Sequence, residues 1–141
     1  MLVCPVNCVP GVMGAGLAKA FARRCPSLID FHRERCASGA LAPGKTVIFE
    51  GKVDQGVVML PTKRHFRNQS TLEDVGSALK HMAKMLQFGT EIGDKHDSIA
   101  IPALGCGLGG LRWEDVRPII IEALAPLDID VMLYAPKEGA E

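Results

Sequence analysis

Two hydrophobic periods alternate along this chain, and their order constrains the fold more than any other feature. Residues 2–6 form a short apolar run of the kind that makes a buried strand. A Pro/Gly segment and a helical pattern over residues 13–24 follow, with Leu17, Ala18, Phe21 and Ala22 on helical spacing. Ser27 is placed to cap a second helix running through Cys36, since its hydroxyl can accept from first-turn N–H groups. Residues 45–50 and 56–60 read as two strands joined by a polar turn, a hairpin pattern. Ser70 or Thr71, followed by Glu73 and Asp74, starts a helix to about residue 88, because acidic groups suit the positive end of the helix dipole. A strand over 98–102, a helix over 114–124 and a strand over 129–134 complete the series. Strands that alternate with helices imply parallel pairing through crossovers, hence an α/β sheet covered on both faces. Ligands of such sheets lie at the carboxyl ends of the strands, which gathers residues 7–16, 61–68 and 103–110 at one edge.

The 141 residues suffice for one domain, and neither a repeat nor a linker divides them. With 48% apolar and 23% charged residues, disordered, collagen-like and coiled-coil classes are excluded. Only 5% is aromatic, so the core must be built mostly from Val, Ile, Leu, Ala and Met. Lys+Arg and Asp+Glu balance at 16 each, which removes any overall basic field. The balance is uneven: 14 basic and 9 acidic residues precede Trp113, and 2 and 7 follow from it onward, so a positive face is available. Charges interrupt every apolar run before membrane-spanning length. The apolar start precedes Lys19, Arg23 and Arg24, the reverse of a secretory signal, and the five cysteines lack framework spacing. A cytoplasmic protein with reduced thiols is expected. Metal binding is not expected, because His32 and Cys36, one helical turn apart, have no second pair.

Four segments carry chemical signals. Residues 39–46 fit the GxxxxGKT spacing of a phosphate-binding loop but follow a helix and enter a strand, so they read as a helix-to-strand turn. Residues 105–110 contain GxGxxG between a strand and a helix, yet in nearly the last unit, whereas a dinucleotide fold carries that motif in its first. The loop reads either as a tight glycine turn or as an anion site whose backbone N–H groups are open to approach. Gly11-Val12-Met13-Gly14-Ala15-Gly16 is a second glycine loop between strand and helix, and a pyrophosphate flanked by both loops is the simplest common ligand. Asn7 either hydrogen-bonds a sugar or caps a turn. Pro61-Thr62-Lys63-Arg64-His65-Phe66-Arg67 is the one dense basic segment. There Lys63 reads as a nucleophilic or charge-stabilising amine, and Arg64, His65 and Arg67 as phosphate contacts of a larger substrate, against the alternative of a solvated loop.

Together these stretches resemble a macrodomain over nearly the whole chain. The similarity rests on Val6-Asn7-Cys8 leading into the first glycine loop, on Leu60-Pro61-Thr62-Lys63-Arg64-His65, and on residues 101–111 with Trp113. The last two stretches resemble the branch that includes terminal ADP-ribose protein glycohydrolase and, more closely, the DNA-acting macrodomain antitoxin paired with a thymidine ADP-ribosyltransferase toxin. The resemblance implies a three-layer α/β/α sandwich with a mixed, mostly parallel sheet, forming a single domain over residues 1–141 without the usual first strand. It implies ADP-ribose bound by Asn7, Gly11, Val12, Met13, Gly14, Ala15, Gly16, Leu17 and Thr62, by Ala103, Leu104, Gly105, Cys106, Gly107, Leu108, Gly109 and Gly110, and by Pro136. Lys63 falls on the branch's catalytic lysine. In the protein glycohydrolase that amine attacks the anomeric carbon, assisted by an Asp whose position is Gly109 here, a glycine shared with the DNA-acting enzymes.

The acidic residue that normally grips the adenine amino group is absent, which assigns adenine to the C-terminal edge around residues 134–136 unless the start is incomplete. Pro10 reads as a one-residue insertion in the first loop. The function so implied is removal of mono-ADP-ribose from a macromolecule, with thymidine-linked DNA favoured. A non-catalytic ADP-ribose reader, a de-ADP-ribosylase of protein Asp or Glu side chains, and a phosphatase on ADP-ribose 1″-phosphate are the alternatives. No cofactor is implied. The expected partners are the ADP-ribosylated substrate and a toxin encoded nearby, with no membrane, and the protein is expected to be a monomer.

Overall fold

The computed structural model describes residues 1–50, 55–91, 93 and 96–137. Among the described residues, nine elements run in the order β1 (Leu2–Asn7), α1 (Gly16–Arg24), α2 (Ser27–Ser38), β2 (Val47–Phe49), β3 (Val57–Lys63), α3 (Leu72–Glu91), β4 (Ser98–Ile101), α4 (Trp113–Leu124) and β5 (Asp130–Leu133). The sheet order is β2-β3-β1-β4-β5. β1 pairs parallel with β3 and β4, and β4 pairs parallel with β5. β2 lies antiparallel to β3, so the hairpin pattern is realised, although residues 51–54 of its turn lie outside the described residues.

Successive strand residues point to opposite faces, and this alternation makes two cores from one sheet. Val3, Val58, Leu60, Ile99 and Ile101 face α3 and α4, where Val75, Leu79, Met82, Val116 and Ile120 close over them. Cys4, Val6, Val57 and Met59 face α1 and α2, against Ala18, Ala22 and Leu28. Each fully buried aliphatic side chain contributes about 1.5–3 kcal/mol relative to exposure. The result is the expected α/β/α sandwich with a mixed, mostly parallel sheet.

Several boundaries differ from the sequence reading for local reasons. Ser27 is the first residue of α2 rather than its cap; Pro26 holds the cap position, and no side-chain cap bond forms. Thr71 does cap α3, its Oγ1 accepting the Asp74 N–H at 3.1 Å. β2 begins at Val47 rather than residue 45, because the Thr46 N–H leaves the sheet to donate to His81 Nδ1 at 2.9 Å. β4 stops at Ile101, before Pro102, which has no N–H for the ladder. Residues 39–46 form a turn with Gly39 and Gly44 at φ 81° and 77° and a bridge between Ala42 and Lys45, and none of them lines the cleft described below, as the turn reading expects.

Two imidazoles, His32 buried and His81 half-buried, fasten loops to this frame. His32 Nδ1 accepts the Gly11 N–H at 3.0 Å, so its Nε2–H donates to the Asn7 carbonyl at 2.9 Å. Both ring nitrogens are thereby engaged. Burial lowers the His32 pKa, an effect partly offset by the Asn7 carbonyl. Burial, with Lys45 and Lys84 nearby, also lowers that of His81. Both groups favour the neutral ring when folded, so their contribution is complete above the ordinary imidazole value of about 6.5 and is lost as pH falls through the lowered folded values. Urea denaturation across that acidic window should show stability declining, and His32→Gln and His81→Gln should each flatten the slope.

Candidate active site

A cleft of about 540 Å³ opens at the carboxyl ends of β1, β3 and β4. The three predicted segments meet there. From the first loop come Val12, Met13, Gly14, Ala15, Gly16 and Leu17; from the end of β3, Thr62 and Lys63; from the late loop, Ala103, Gly105, Cys106, Gly107, Leu108 and Gly109; Asn7 and Pro136 also line it. A Cβ on Gly16 would lie 3.9 Å from Leu108 Cδ1, so the two glycine loops approach each other across the opening.

The charge pattern of the helix ends tells the loops apart. The first N–H groups of a helix lack intrahelical partners and carry partial positive charge. At α1 the Ala15 cap offers no side-chain bond and the first turn holds no acid. Its leading residues, Gly16, Leu17 and Ala18, all line the cleft, leaving a positive pole open to an anion. α4 instead carries Glu114 and Asp115 in its first turn, and none of its residues lines the cleft. Of the helices that follow the two glycine loops, only α1 therefore turns its N-terminus to the cleft. The late loop contributes backbone instead. Among the described residues, the N–H groups of Gly107, Leu108 and Gly109 take no acceptor, while those of Cys106 and Gly110 close turns onto Ala103 and Gly107.

Some predicted residues stand behind the cleft rather than in it. Gly11 lies at φ 75° and gives its N–H to His32. Leu104 is fully buried in the core beneath the late loop. Gly110, at φ 78°, turns the chain away toward Leu111. Asn7 serves as a turn cap: its Oδ1 accepts the Val9 N–H at 2.8 Å and its Nδ2 donates to the Val12 carbonyl at 3.0 Å. That leaves one amide N–H and one lone pair for a ligand.

Lys63 ends β3 directly beside Asn7, across a bulge between Val6 and Asn7. It is half-buried and is the only charged side chain among the described lining residues. Among the described residues, its ammonium has no hydrogen-bond or ion-pair partner. No carboxylate lines the cleft among them.

Gly109 explains part of that absence. A Cβ there would collide with Ser70 Oγ and come within 2.6 Å of the Gly105 carbonyl oxygen. Ser70 is in turn fixed by its N–H bond to the Gly109 carbonyl at 3.0 Å. A side chain at this position has no space in the loop as folded.

The basic segment divides. Arg64 makes a two-pronged ion pair with Asp74, Nε–Oδ2 3.0 Å and Nη2–Oδ1 3.1 Å, which holds the carboxyl below its ordinary pKa. Its fork is committed to anchoring the loop on α3 rather than free for phosphate. His65 stacks on Phe66 with ring centroids 4.2 Å apart, and the Arg67 guanidinium lies 5.6 Å from the Phe66 centroid. None of Arg64, His65 and Arg67 lines the cleft, but Phe66 does, with Pro5, Val6, Ala18 and Pro102, which sequence reading missed. An apolar residue inside a basic run was the available signal for Phe66. The other four follow only from strand and helix packing.

The sheet edge thus turns an uncapped helix end, a glycine loop and Lys63, unpaired among the described residues, toward one cleft, an arrangement that can accept an anion beside an amine. The Macro domain family model matches residues 3–120, and the chain belongs to the macrodomain family. It is 36% identical to the DNA ADP-ribosyl glycohydrolase of Mycobacterium tuberculosis over 99% of this chain and 39% of that protein. Against the Thermus aquaticus enzyme of the same name the identity is 37%, over 98% of this chain and 38% of that protein. This chain thus spans about two fifths of the length of these relatives. Among solved structures, the macrodomain of Mycobacterium tuberculosis DarG superposes with a TM-score of 0.86, covering 96% of this chain and 88% of that one. Thermosipho africanus DarTG in complex with ADP-ribose gives 0.85 at 32% identity, covering 97% of this chain and 38% of that one.

Proposed function

We propose that this chain is an ADP-ribosyl glycohydrolase that removes thymidine-linked mono-ADP-ribose from DNA. The observation that carries the reading is the single ammonium, Lys63, unpaired among the described residues and lining the cleft at the α1 N-terminus. The diphosphate lies against the N–H groups that open α1 and those of residues 107–109, and the distal ribose lies toward Asn7 and Lys63. With no carboxylate among the described lining residues to act as general base, Lys63 works as a charge stabiliser. The bond from the anomeric carbon to the base breaks, its electron pair moves onto the thymine, and the ammonium hydrogen-bonds that developing negative charge. Water adds hydroxide to the anomeric carbon, releasing ADP-ribose, and its proton neutralises the thymine, which stays in the DNA.

The relatives named for this activity support the reading, as does the Thermosipho africanus fusion of a DNA ADP-ribosyl transferase to a DNA ADP-ribosyl glycohydrolase. Such a fusion suggests that a transferase which modifies DNA is the functional counterpart of this chain. The chain would then act as the antitoxin.

Incubation with ADP-ribosylated thymidine oligonucleotide and with ADP-ribosylated glutamate peptide tests it. Release of ADP-ribose from the oligonucleotide is expected. Release from the peptide alone would reassign the substrate to protein. Binding without release from either would make the chain a reader, the reading that the carboxylate-free lining favours second.

A further inference from the structure

The first glycine loop is held by a side chain that does not itself line the cleft. His32, on α2, is fully buried, and its ring spans the segment that leads from β1 into the site. Nε2–H donates to the Asn7 carbonyl at 2.9 Å and Nδ1 accepts the Gly11 N–H at 3.0 Å, so one imidazole closes both ends of residues 7–11. Each end borders the site. Asn7 lies opposite Lys63 in the β1–β3 register and lines the cleft, and Gly11 immediately precedes Val12, from which the lining runs on to the α1 N-terminus. Two further clasps hold the same segment: the Asn7 side chain on Val9 and Val12, and the Val12 N–H on the Val9 carbonyl at 3.1 Å. Those are amide bonds, which do not titrate near neutral pH. The His32 clasp alone depends on a lone pair that a proton can take.

We propose that His32 is a positioning residue for the ligand: its neutral ring sets the first glycine loop for the diphosphate, and protonation of Nδ1 releases that loop and weakens binding. The proton turns Nδ1 from acceptor into donor, so the Gly11 N–H faces another N–H in a buried place and one of the two must move. Asn7 keeps its bond, since Nε2–H donates in both forms. The loop therefore yields at Gly11, beside the residues that carry the open N–H groups of α1. The surrounding thiols stay neutral through this change: burial pushes Cys4 up to about 12 and Cys36, whose Sγ lies 3.5 Å from Nε2, up to about 11, and it also raises Cys8. Asp74, held low by Arg64, stays ionised. The Arg33 guanidinium lies against Gly11 and pairs with Asp30, while Lys19, Arg23 and Arg24 on α1 are exposed. Acid thus acts against simple electrostatics here. A positive charge added near an anion site would by itself tighten a diphosphate, whereas release of the loop loosens it. The inference rests on the proposed function for the identity of the ligand.

Calorimetric titration with ADP-ribose across a pH series tests it, with circular dichroism confirming the fold at each pH. Wild-type affinity is expected to be constant above the ordinary imidazole value of about 6.5 and to fall by about 5- to 150-fold as pH drops through the lowered value of the folded ring, the effect of leaving a buried donor without its acceptor. His32→Gln offers an amide oxygen to Gly11 and an amide N–H to Asn7 without a titrating group, so it should bind as the wild type does at neutral pH and keep that affinity in acid. His65→Gln, which replaces the imidazole of the loop after Lys63, should retain the wild-type profile. In the ligand-free wild type, protection of the Gly11 amide against hydrogen exchange, corrected for its intrinsic rate, should fall over the same interval. Affinity that holds or rises in acid while the protein stays folded overturns the inference, as does an acid loss that survives in His32→Gln or disappears in His65→Gln. If ADP-ribose binds at no pH, the proposed function falls, and the Gly11 amide still decides whether His32 holds the loop, since unchanged protection would overturn that too.

Discussion

Lys63→Ala is expected to lower release of ADP-ribose from modified DNA by about 10²- to 10⁴-fold, the range for removing a positioned proton-handling or charge-stabilising group. Free ADP-ribose should bind nearly as before. The separation follows from where the anion sites are: the open N–H groups of α1 and of residues 107–109 belong to the backbone, and truncating Lys63 moves none of them. The fold should tolerate the change as well. Lys63 is half-buried at the end of β3, and among the described residues its amine has no partner to leave unsatisfied. Calorimetry with ADP-ribose beside a release assay on the modified oligonucleotide checks both halves. Unchanged turnover in the variant would exclude Lys63 from the chemistry.

Gly109→Asp is expected to damage the protein rather than supply a missing acid. A Cβ at this position meets the Gly105 carbonyl oxygen at 2.6 Å and also collides with Ser70 Oγ. The Ser70 side chain can rotate, but the Gly105 carbonyl belongs to a turn closed by the Leu111 N–H at 2.9 Å, so the loop itself must shift. Overpacking of this kind costs about 1–3 kcal/mol. The shift displaces the N–H groups of residues 107–109 from the anion, so ADP-ribose affinity should fall at least tenfold together with stability. Gly14→Ala is the contrasting variant. No atom lies within 4 Å of the Cβ it would add, so denaturation should find stability close to wild type while the methyl group projects at the cleft edge. A Gly109→Asp protein of full stability that turned over faster would show that the loop accommodates a carboxylate.

Much of this site was legible before folding was considered, and the reason is local. Gly11 to Gly16 and Gly105 to Gly110 announce close backbone approach by composition alone, and their places between strand and helix put both loops on one sheet edge. Lys63 was legible because it ends an apolar run that must be a buried strand. What could not be read were facts about partners distant in sequence. Arg64 looked like a phosphate contact until Asp74, ten residues on, took its guanidinium. Gly11 looked like an anion donor until His32, 21 residues on, accepted its N–H. Phe66 was passed over because a lone aromatic residue in a basic run is ordinary until a cleft forms beside it.

The amino-acid order determined the layer architecture, the sheet edge that carries the loops and the identity of the one cleft lysine, because strand and helix periods and glycine placement are properties of neighbouring residues. Tertiary structure decided which donors remain open. It gave α1 an uncapped, acid-free start inside the cleft while α4 begins outside it with Glu114 and Asp115, and it spent the Gly11 N–H and the Arg64 fork on holding loops. A hydrogen-bonding group serves a ligand only when no nearer partner has claimed it, and that is known only once chain segments far apart in sequence have been brought together.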